Sequence, residues 1–422
     1  MKNKTLSIIA MLLCLTMLIP LSGCEKPSDN EEEEVEEKNE DKDEADKDEN
    51  GKEEVQGEYK EGALFSFGLA PLKKDGKVGY VNEKGKFVIK AKFDDARPFG
   101  PNGLAAAQYM GAWGYIDTKG EFVIEPSFSD AYDFDKNGVA HVFAGGYHGF
   151  INEKGQWVIE NKYTYINEFD EIYGLASASL KTDEYTYSYG YINRAGEMVI
   201  DALYDEAYAF APNGVARVYK DGEYSYIDTK GNTVLTGDFR FASDFGSNGL
   251  AFVSYSDSNE SGYITVDGTM AISIGKDKAL TGEPFDENGI GKVYAYGKCR
   301  FVRGENKPLE DVGCQEVREF DENGIAVAQV SLQQYNFITL DGKLLLSESC
   351  RMCSEFSYGL ARVKTDDRWG YVDLQGNQVI DCQFYTATDF YSDGYAIVGI
   401  LNGEEVKYAI IDKEGNYLVG LK

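Results

Sequence analysis

A glycine, an aliphatic residue and an alanine recur in that order along this 422-residue chain. The triplet reads Gly68-Leu69-Ala70, Gly103-Leu104-Ala105, Gly138-Val139-Ala140, Gly174-Leu175-Ala176 and Gly214-Val215-Ala216. It continues as Gly249-Leu250-Ala251, Gly289-Ile290-Gly291, Gly324-Ile325-Ala326, Gly359-Leu360-Ala361 and Gly394-Tyr395-Ala396. The glycines are 35 residues apart, except for one spacing of 36 and two of 40. Ten copies at a fixed period describe a repeat architecture, in which one small unit buries its apolar faces only against its neighbours. Composition narrows the unit: 30 Tyr, 23 Phe and 46 Gly suit short strands and tight turns.

Two further landmarks recur in each copy. About ten residues after the triplet comes Trp113-Gly114-Tyr115-Ile116-Asp117, with variants Gly79-Tyr80-Val81-Asn82, His148-Gly149-Phe150-Ile151-Asn152, Tyr189-Gly190-Tyr191-Ile192-Asn193 and Trp369-Gly370-Tyr371-Val372-Asp373. Next comes an aliphatic pair (Val88-Ile89, Val123-Ile124, Val158-Ile159, Val199-Ile200, Val379-Ile380) and then an aromatic (Phe93, Phe128, Tyr163, Tyr204, Phe384). A small residue often follows three positions later, as at Ala96, Ala131, Ala207 and Ala387. Each copy therefore reads as strand, turn, strand, turn, strand and return. The Asp/Asn-x-x-Gly tetrapeptides at Asn82, Asp117, Asn152, Asn193, Asp228, Asp373 and Asp412 have turn chemistry: a short polar side chain bonds the backbone, and the glycine takes a positive φ. Thr265 and Thr339 stand at this position in two copies, which argues against a ladder of metal-binding carboxylates.

These motifs resemble the WG repeat, named for its Trp-Gly pair and also called KWG, over about residues 58–422. Only Trp113-Gly114 and Trp369-Gly370 carry the literal pair; Val78, His148, Tyr189, Tyr224 and Cys299 stand at the tryptophan position elsewhere. The resemblance implies a binding or scaffold surface without general catalytic activity, of a kind common in bacterial surface and secreted proteins. The expected fold is all-β: tandem antiparallel three-stranded repeats in an open, solenoid-like array. A closed β-propeller is the rival, because a stretch related to the missing last return element, Tyr59 to Phe65, precedes the first copy. The five-residue extensions before Gly214 and Gly289 are expected as surface loops.

Residues 1–57 stand outside the repeats. Lys2 and Lys4 precede an apolar run over 6–19, too short for a comfortable membrane span, as in an export signal. Leu21-Ser22-Gly23-Cys24 resembles the lipobox of bacterial lipoprotein precursors. That resemblance implies cleavage before Cys24, diacylglycerol and palmitate-like chains on its thiol, and a stable anchor at the extracytoplasmic face of the cell membrane. Residues 25–57 hold 17 acids, five lysines and almost nothing apolar, so they read as a disordered acidic tether. The domain expectation is thus signal 1–23, lipidated Cys24 with tether 24–57, and repeat domain 58–422. Asp46-Lys47-Asp48-Glu49-Asn50-Gly51 matches half of a calcium-binding loop, but Gly57 stands where the bidentate Glu belongs.

The formal charge of −30 excludes nucleic-acid binding through a general basic surface. His141 and His148 are the only histidines, and no nucleophile elbow, P-loop or His-Glu-x-x-His is present, so we expect no enzyme, catalytic residue, metal or cofactor. His148 fills a tryptophan position and reads as a packing residue. Cys314 and Cys350 align with the Phe128 position, Cys353 with Ala131 and Cys382 with Pro126, as core thiols or disulfide partners. Aromatics at fixed positions read as core, whereas the irregular Tyr185, Tyr187 and Tyr189 are candidates for a binding surface. The functional expectation is a membrane-anchored extracellular lipoprotein whose repeats bind a protein partner. Adhesion to a cell-wall glycan is the alternative, and an envelope enzyme comes third.

Overall fold

Each Asp/Asn-x-x-Gly tetrapeptide closes a turn through its own side chain. The Asp117 carboxylate accepts from the N–H groups of Lys119 (2.9 Å) and Glu121 (3.0 Å). Gly120 takes a φ of +80°, and a Cβ there would lie 2.6 Å from Ile89 of the preceding copy. Asn82, Asn152, Asn193, Asp228, Asp373 and Asp412 accept the same two bonds. These carboxylates and amides are turn formers. The same geometry appears one turn earlier at Asp135, Asp286 and Asp321, ahead of their glycine-aliphatic triplets.

The computed structural model describes residues 59, 61–183, 186–277, 280–304 and 310–419. The signal, Cys24, the acidic segment with its calcium-loop-like stretch, and Tyr185 lie outside the described residues. Described strands form ten separate antiparallel sheets, which we number as blades 1 to 10: 70–93, 95–128, 130–163, 165–204, 206–236, 239–276, 281–311, 316–339, 352–384 and 386–419. No described residue is helical. Blade 2 shows the pattern: Asp95–Ala96, Ala105–Tyr109, Ala112–Ile116 and Phe122–Phe128, each paired to the next in the chain. The extension before Gly214 prolongs the blade 4 hairpin between Leu175–Lys181 and Tyr187–Asn193.

The structure corrects two expectations. The unit is four-stranded in eight blades, not three-stranded. The stretch read as a return supplies the first strand of the next blade, because its small residue (Ala96, Ala131, Ala207) is an inward position paired to the second strand. Blades 1 and 8 keep three strands. In blade 8, Asn336 stands at the usual glycine position. Its amide donates to the Leu346 carbonyl and accepts from the Leu346 N–H, at 2.9 Å each, holding the outer segment without a regular ladder.

The second correction is topological: the array is a closed ten-bladed β-propeller rather than an open solenoid. Ten blades in an open row have nine junctions. Here a buried apolar cluster fills each of ten, including one between the ends. That tenth cluster joins Leu64, Phe65, Ala70 and Leu72 to Ile410, with Tyr395 and Tyr408 packed against it. The Phe65 N–H donates to Asp393 at 2.9 Å, the Ser392 N–H to the Gly62 carbonyl at 2.8 Å, and the Ser392 hydroxyl to the Glu61 carbonyl at 2.7 Å. The stretch around Phe65 does close the ring, as the rival reading required, but by packing and loop hydrogen bonds rather than by adding a strand to the last sheet. An open end would leave these apolar side chains in water, which is the physical reason the ring closes.

Candidate functional site: the groove between blades 3 and 4

The second glycine of the repeat, next to the tryptophan position, sets the outer edge of six blades, at Gly79, Gly114, Gly149, Gly190, Gly262 and Gly370. A Cβ on Gly114 would lie 2.5 Å from the Ile124 carbonyl oxygen and 2.8 Å from the Pro126 nitrogen. The pairing register shifts on both sides of Tyr115, so the outer strand bulges inward over the missing side chain. Gly79, Gly149, Gly190 and Gly370 sit under bulges of the same kind. Bulging splits the aliphatic pair. The second member (Ile89, Ile124, Ile159, Ile200, Ile380) is buried, whereas the first is exposed at Val123, Val158, Val199, Val234 and Val379.

Blades 3 and 4 turn this edge into a concavity of about 540 Å³. Its lining includes Val158, Glu160, Lys162 and Tyr163 of the blade 3 outer strand, and Leu180, Met198 and Asp201 of blade 4. The Tyr163 hydroxyl donates to the Gly196 carbonyl at 2.9 Å, so a buried tyrosine ties the two blades together beneath the groove. The Lys162 ammonium lies 5.2 Å from the Tyr163 ring centroid. The groove thus joins apolar groups to three carboxylates, Glu160, Glu197 and Asp201, and one ammonium. This arrangement accommodates an aliphatic side chain flanked by charges, or the flat face of a sugar beside acceptors.

Beside the groove, blade 3 brings the chain's two histidines together. His141 Nε2 and His148 Nδ1 are 2.9 Å apart. Tyr132 stacks on His141 with centroids 5.2 Å apart, and Phe150 stacks at 4.9 Å. Burial, and then the neighbouring His148, push His141 down to about 4; burial also lowers His148. Both rings are neutral at pH 7, and one shared proton satisfies both facing nitrogens. His148 is indeed a packing residue at the tryptophan position, as expected, but its hydrogen bond to His141 was not foreseen.

The signal that would have found it is positional. His141 directly follows its triplet, as do Arg217, Lys292 and Arg362. These last three reach across to the next blade, where they donate to the carbonyls of Ala242 (2.7 Å), Val317 (3.1 Å) and Ala387 (2.6 Å), always 25 residues on. Arg217 and Arg362 also pair with Asp244 and Asp389, and Lys292 with Glu283. A cation at this position is a tie between blades.

The tyrosines proposed from sequence do not converge on the groove. Tyr187 is exposed and Tyr189 is half-buried against Tyr204, on the hairpin face opposite Leu180. The cysteines divide three ways. Cys350 and Cys353 are joined in a disulfide, with Cα atoms 6.7 Å apart. Cys314 is a buried free thiol, as is Cys299, and Cys382 is a half-buried one. Among the described residues, no group of three or more His, Cys, Asp or Glu is placed to hold a metal.

The family model described as "WG containing repeat" matches residues 79–110, 113–146, 149–180, 189–224, 224–257 and 369–403. This is a WG-repeat-containing chain. Its matched WG repeats include blades that lack a literal Trp-Gly, so spacing and the buried core carry the match. No curated protein matches it. Among solved structures, a crystal structure of a eukaryotic initiation factor is similar over 82% of this chain and 93% of that one, with 11% identity and a TM-score of 0.50. At that identity the likeness concerns the fold alone. A structure of PorZ from Porphyromonas gingivalis, described as a bacterial surface component of a secretion system, covers 78% of this chain and 52% of its own with 11% identity, but its TM-score of 0.29 carries no argument.

Proposed function

We propose that this chain is an exported lipoprotein, anchored through Cys24, whose WG-repeat propeller is a scaffold that binds a protein partner at its outer edge. The observation that carries the reading is the recurring exposed aliphatic of the outer strands. Val123, Val158, Val199 and Val379 are 39–52% exposed although each neighbours a buried isoleucine, and Val234, beside the half-buried Leu235, is 43% exposed. A soluble ring gains nothing from holding an apolar residue in water at the same place in blade after blade. Protein interfaces use such residues as desolvated contact points. The groove between blades 3 and 4 adds depth and charge to that edge.

Cell-wall glycan is the second reading, favoured by the exposed rings of Trp157, Tyr165 and Tyr187 in the same two blades. Immobilised full chain, wild type and Met198→Asp, is exposed to solubilised envelope proteins and, separately, to insoluble cell wall. Retention of a defined protein that is reduced at least tenfold by Met198→Asp supports the proposal. Retention on cell wall that soluble glycan competes away defeats it in favour of the glycan reading. For the anchor, Cys24→Ser moves the protein from the membrane to the soluble fraction; persistent membrane fractionation defeats the lipoprotein part.

A further inference from the structure

Blade 7 carries two cysteines at one pair of facing positions. In five blades the tryptophan position faces an aromatic across the third and outer strands, as in Val78 with Phe93, Trp113 with Phe128, His148 with Tyr163, Tyr189 with Tyr204 and Trp369 with Phe384, whereas blade 6 sets Ser261 against Gly275 and blade 8 sets Tyr335 against Cys350. Blade 7 has cysteine on both sides. The Cys299 N–H donates to the Cys314 carbonyl at 2.8 Å, which aligns the two residues as the others are aligned. Residues opposite each other in an antiparallel pair put their side chains on the same face, with Cα atoms about 4.5–5.5 Å apart. A disulfide spans about 4.4–6.8 Å between Cα atoms. Both thiols belong to one core cluster and are shielded from solvent.

Blade 7 also has a short outer strand among the described residues. Its outer strand is Glu310–Asp311, against seven residues in Phe122–Phe128 of blade 2. Blades 2, 3, 4 and 9 place two rings here; two thiols supply less packing, and a covalent bond at the same place fastens the edge instead. The chain already carries one disulfide, Cys350–Cys353, one blade further on. Burial pushes the Cys299 thiol up to about 12 and the Cys314 thiol up to about 11, so in the folded ring neither is a nucleophile at neutral pH. Closure therefore belongs to folding, before the pair is buried.

We propose that Cys299 and Cys314 form a second disulfide, closed during oxidative folding, that fastens the outer edge of blade 7. The oxidant is a dithiol–disulfide oxidant or a small-molecule disulfide. One cysteine thiolate attacks it, giving a mixed disulfide, and the second thiolate displaces the reduced sulfur. The Sγ–Sγ bond forms, the two cysteines lose two electrons, and their two protons are matched by those taken up by the oxidant's sulfurs as they become thiols. In the cell this rests on the export reading, because cytosolic thiols stay reduced.

The test separates the two. The full chain is refolded from denaturant in a mixture of reduced and oxidised glutathione, alkylated without reduction and digested with trypsin, which cuts after Arg300 and Arg303 between the two cysteines. The expected product is a linked Cys299–Cys314 peptide pair that reductant splits, with Cys382 alkylated. In addition, a Cys299→Ser/Cys314→Ser variant melts several degrees below the oxidised wild type but level with wild type reduced at this site. Recovery of Cys299 and Cys314 as separate alkylated peptides, under conditions that close Cys350–Cys353, overturns the proposal. Failure of export is read independently, from the fractionation of Cys24→Ser.

Discussion

The tyrosine of the Gly-Tyr-Ile-Asp motif shows what one residue does in this ring. Tyr80, Tyr115, Tyr191, Tyr226 and Tyr371 are fully buried, yet each hydroxyl donates to a backbone carbonyl 17 residues on, in or just after the first strand of the next blade, at 2.6–2.8 Å. A ring fills the junction while its oxygen reaches the far side, so the buried polar group is satisfied. The glycine before it has a different job, and that job was illegible in the sequence. The polar residue of each turn announces itself by type, whereas Gly114 needs no unusual φ and is demanded only by the Ile124 carbonyl pressed against it. Gly114→Ala is therefore expected to cost about 2 kcal/mol, in the range of overpacked sites. Gly76→Ala, where a Cβ meets nothing within 4 Å but φ is +78°, should cost about 1 kcal/mol through backbone strain alone. Urea unfolding of both variants checks the order; equal losses would show that the bulge yields.

At the scale of the element, periodicity located the strands well and framed the blade badly. The second and third strands run to five residues or more and are largely buried, and the outer strands alternate, as in Phe122–Phe128. First strands such as Asp95–Ala96 and Thr386–Ala387 have only two residues, too few to show a period, and pass for a connection. Contacts within a hairpin escape the same reading, because seven residues in sequence separate His141 from His148 and only the hairpin makes them diagonal neighbours. The pair makes blade 3 acid-sensitive. His141 faces the rings of Tyr132, Phe150 and His148, and the Asp130 carboxylate pulls its pKa only weakly back up. Its folded pKa of about 4 lies below the 6.5 of an unfolded histidine. The unfolded chain therefore takes up the proton first. Stability is full above pH 6.5 and falls as the pH drops toward 4, by roughly 2 kcal/mol for this half-buried ring. Melting temperatures between pH 7 and 5, a range in which ordinary carboxylates change little, should decline less in His141→Gln than in wild type. A parallel decline in both would mean that the histidine pair does not couple to stability.

The ring is the level at which the sequence carried least, because closure depends on ten small rotations that no copy displays by itself. What the sequence did carry was the extra stretch Tyr59 to Phe65, and the structure uses it as a clasp. Phe65 lies with its ring 5.5 Å from Tyr395, edge to face, while its N–H is held by Asp393. In an open array Phe65 would be an end residue, and its truncation would cost little. In the closed ring it fills the tenth junction, so Phe65→Ala is expected to cost about 3 kcal/mol, at the lower end for a buried phenylalanine. The location of the damage is the sharper measure. With one junction broken, blades 2 to 9 keep both neighbours, and each end blade loses one. Hydrogen exchange in Phe65→Ala should therefore lose protection over 64–81 and 391–411 first, with blades 5 and 6 near wild type. Phe245→Ala, in the cluster between blades 5 and 6, should reverse that pattern. Uniform loss in both variants would mean that the ring melts as one unit, leaving the clasp no more critical than any other junction.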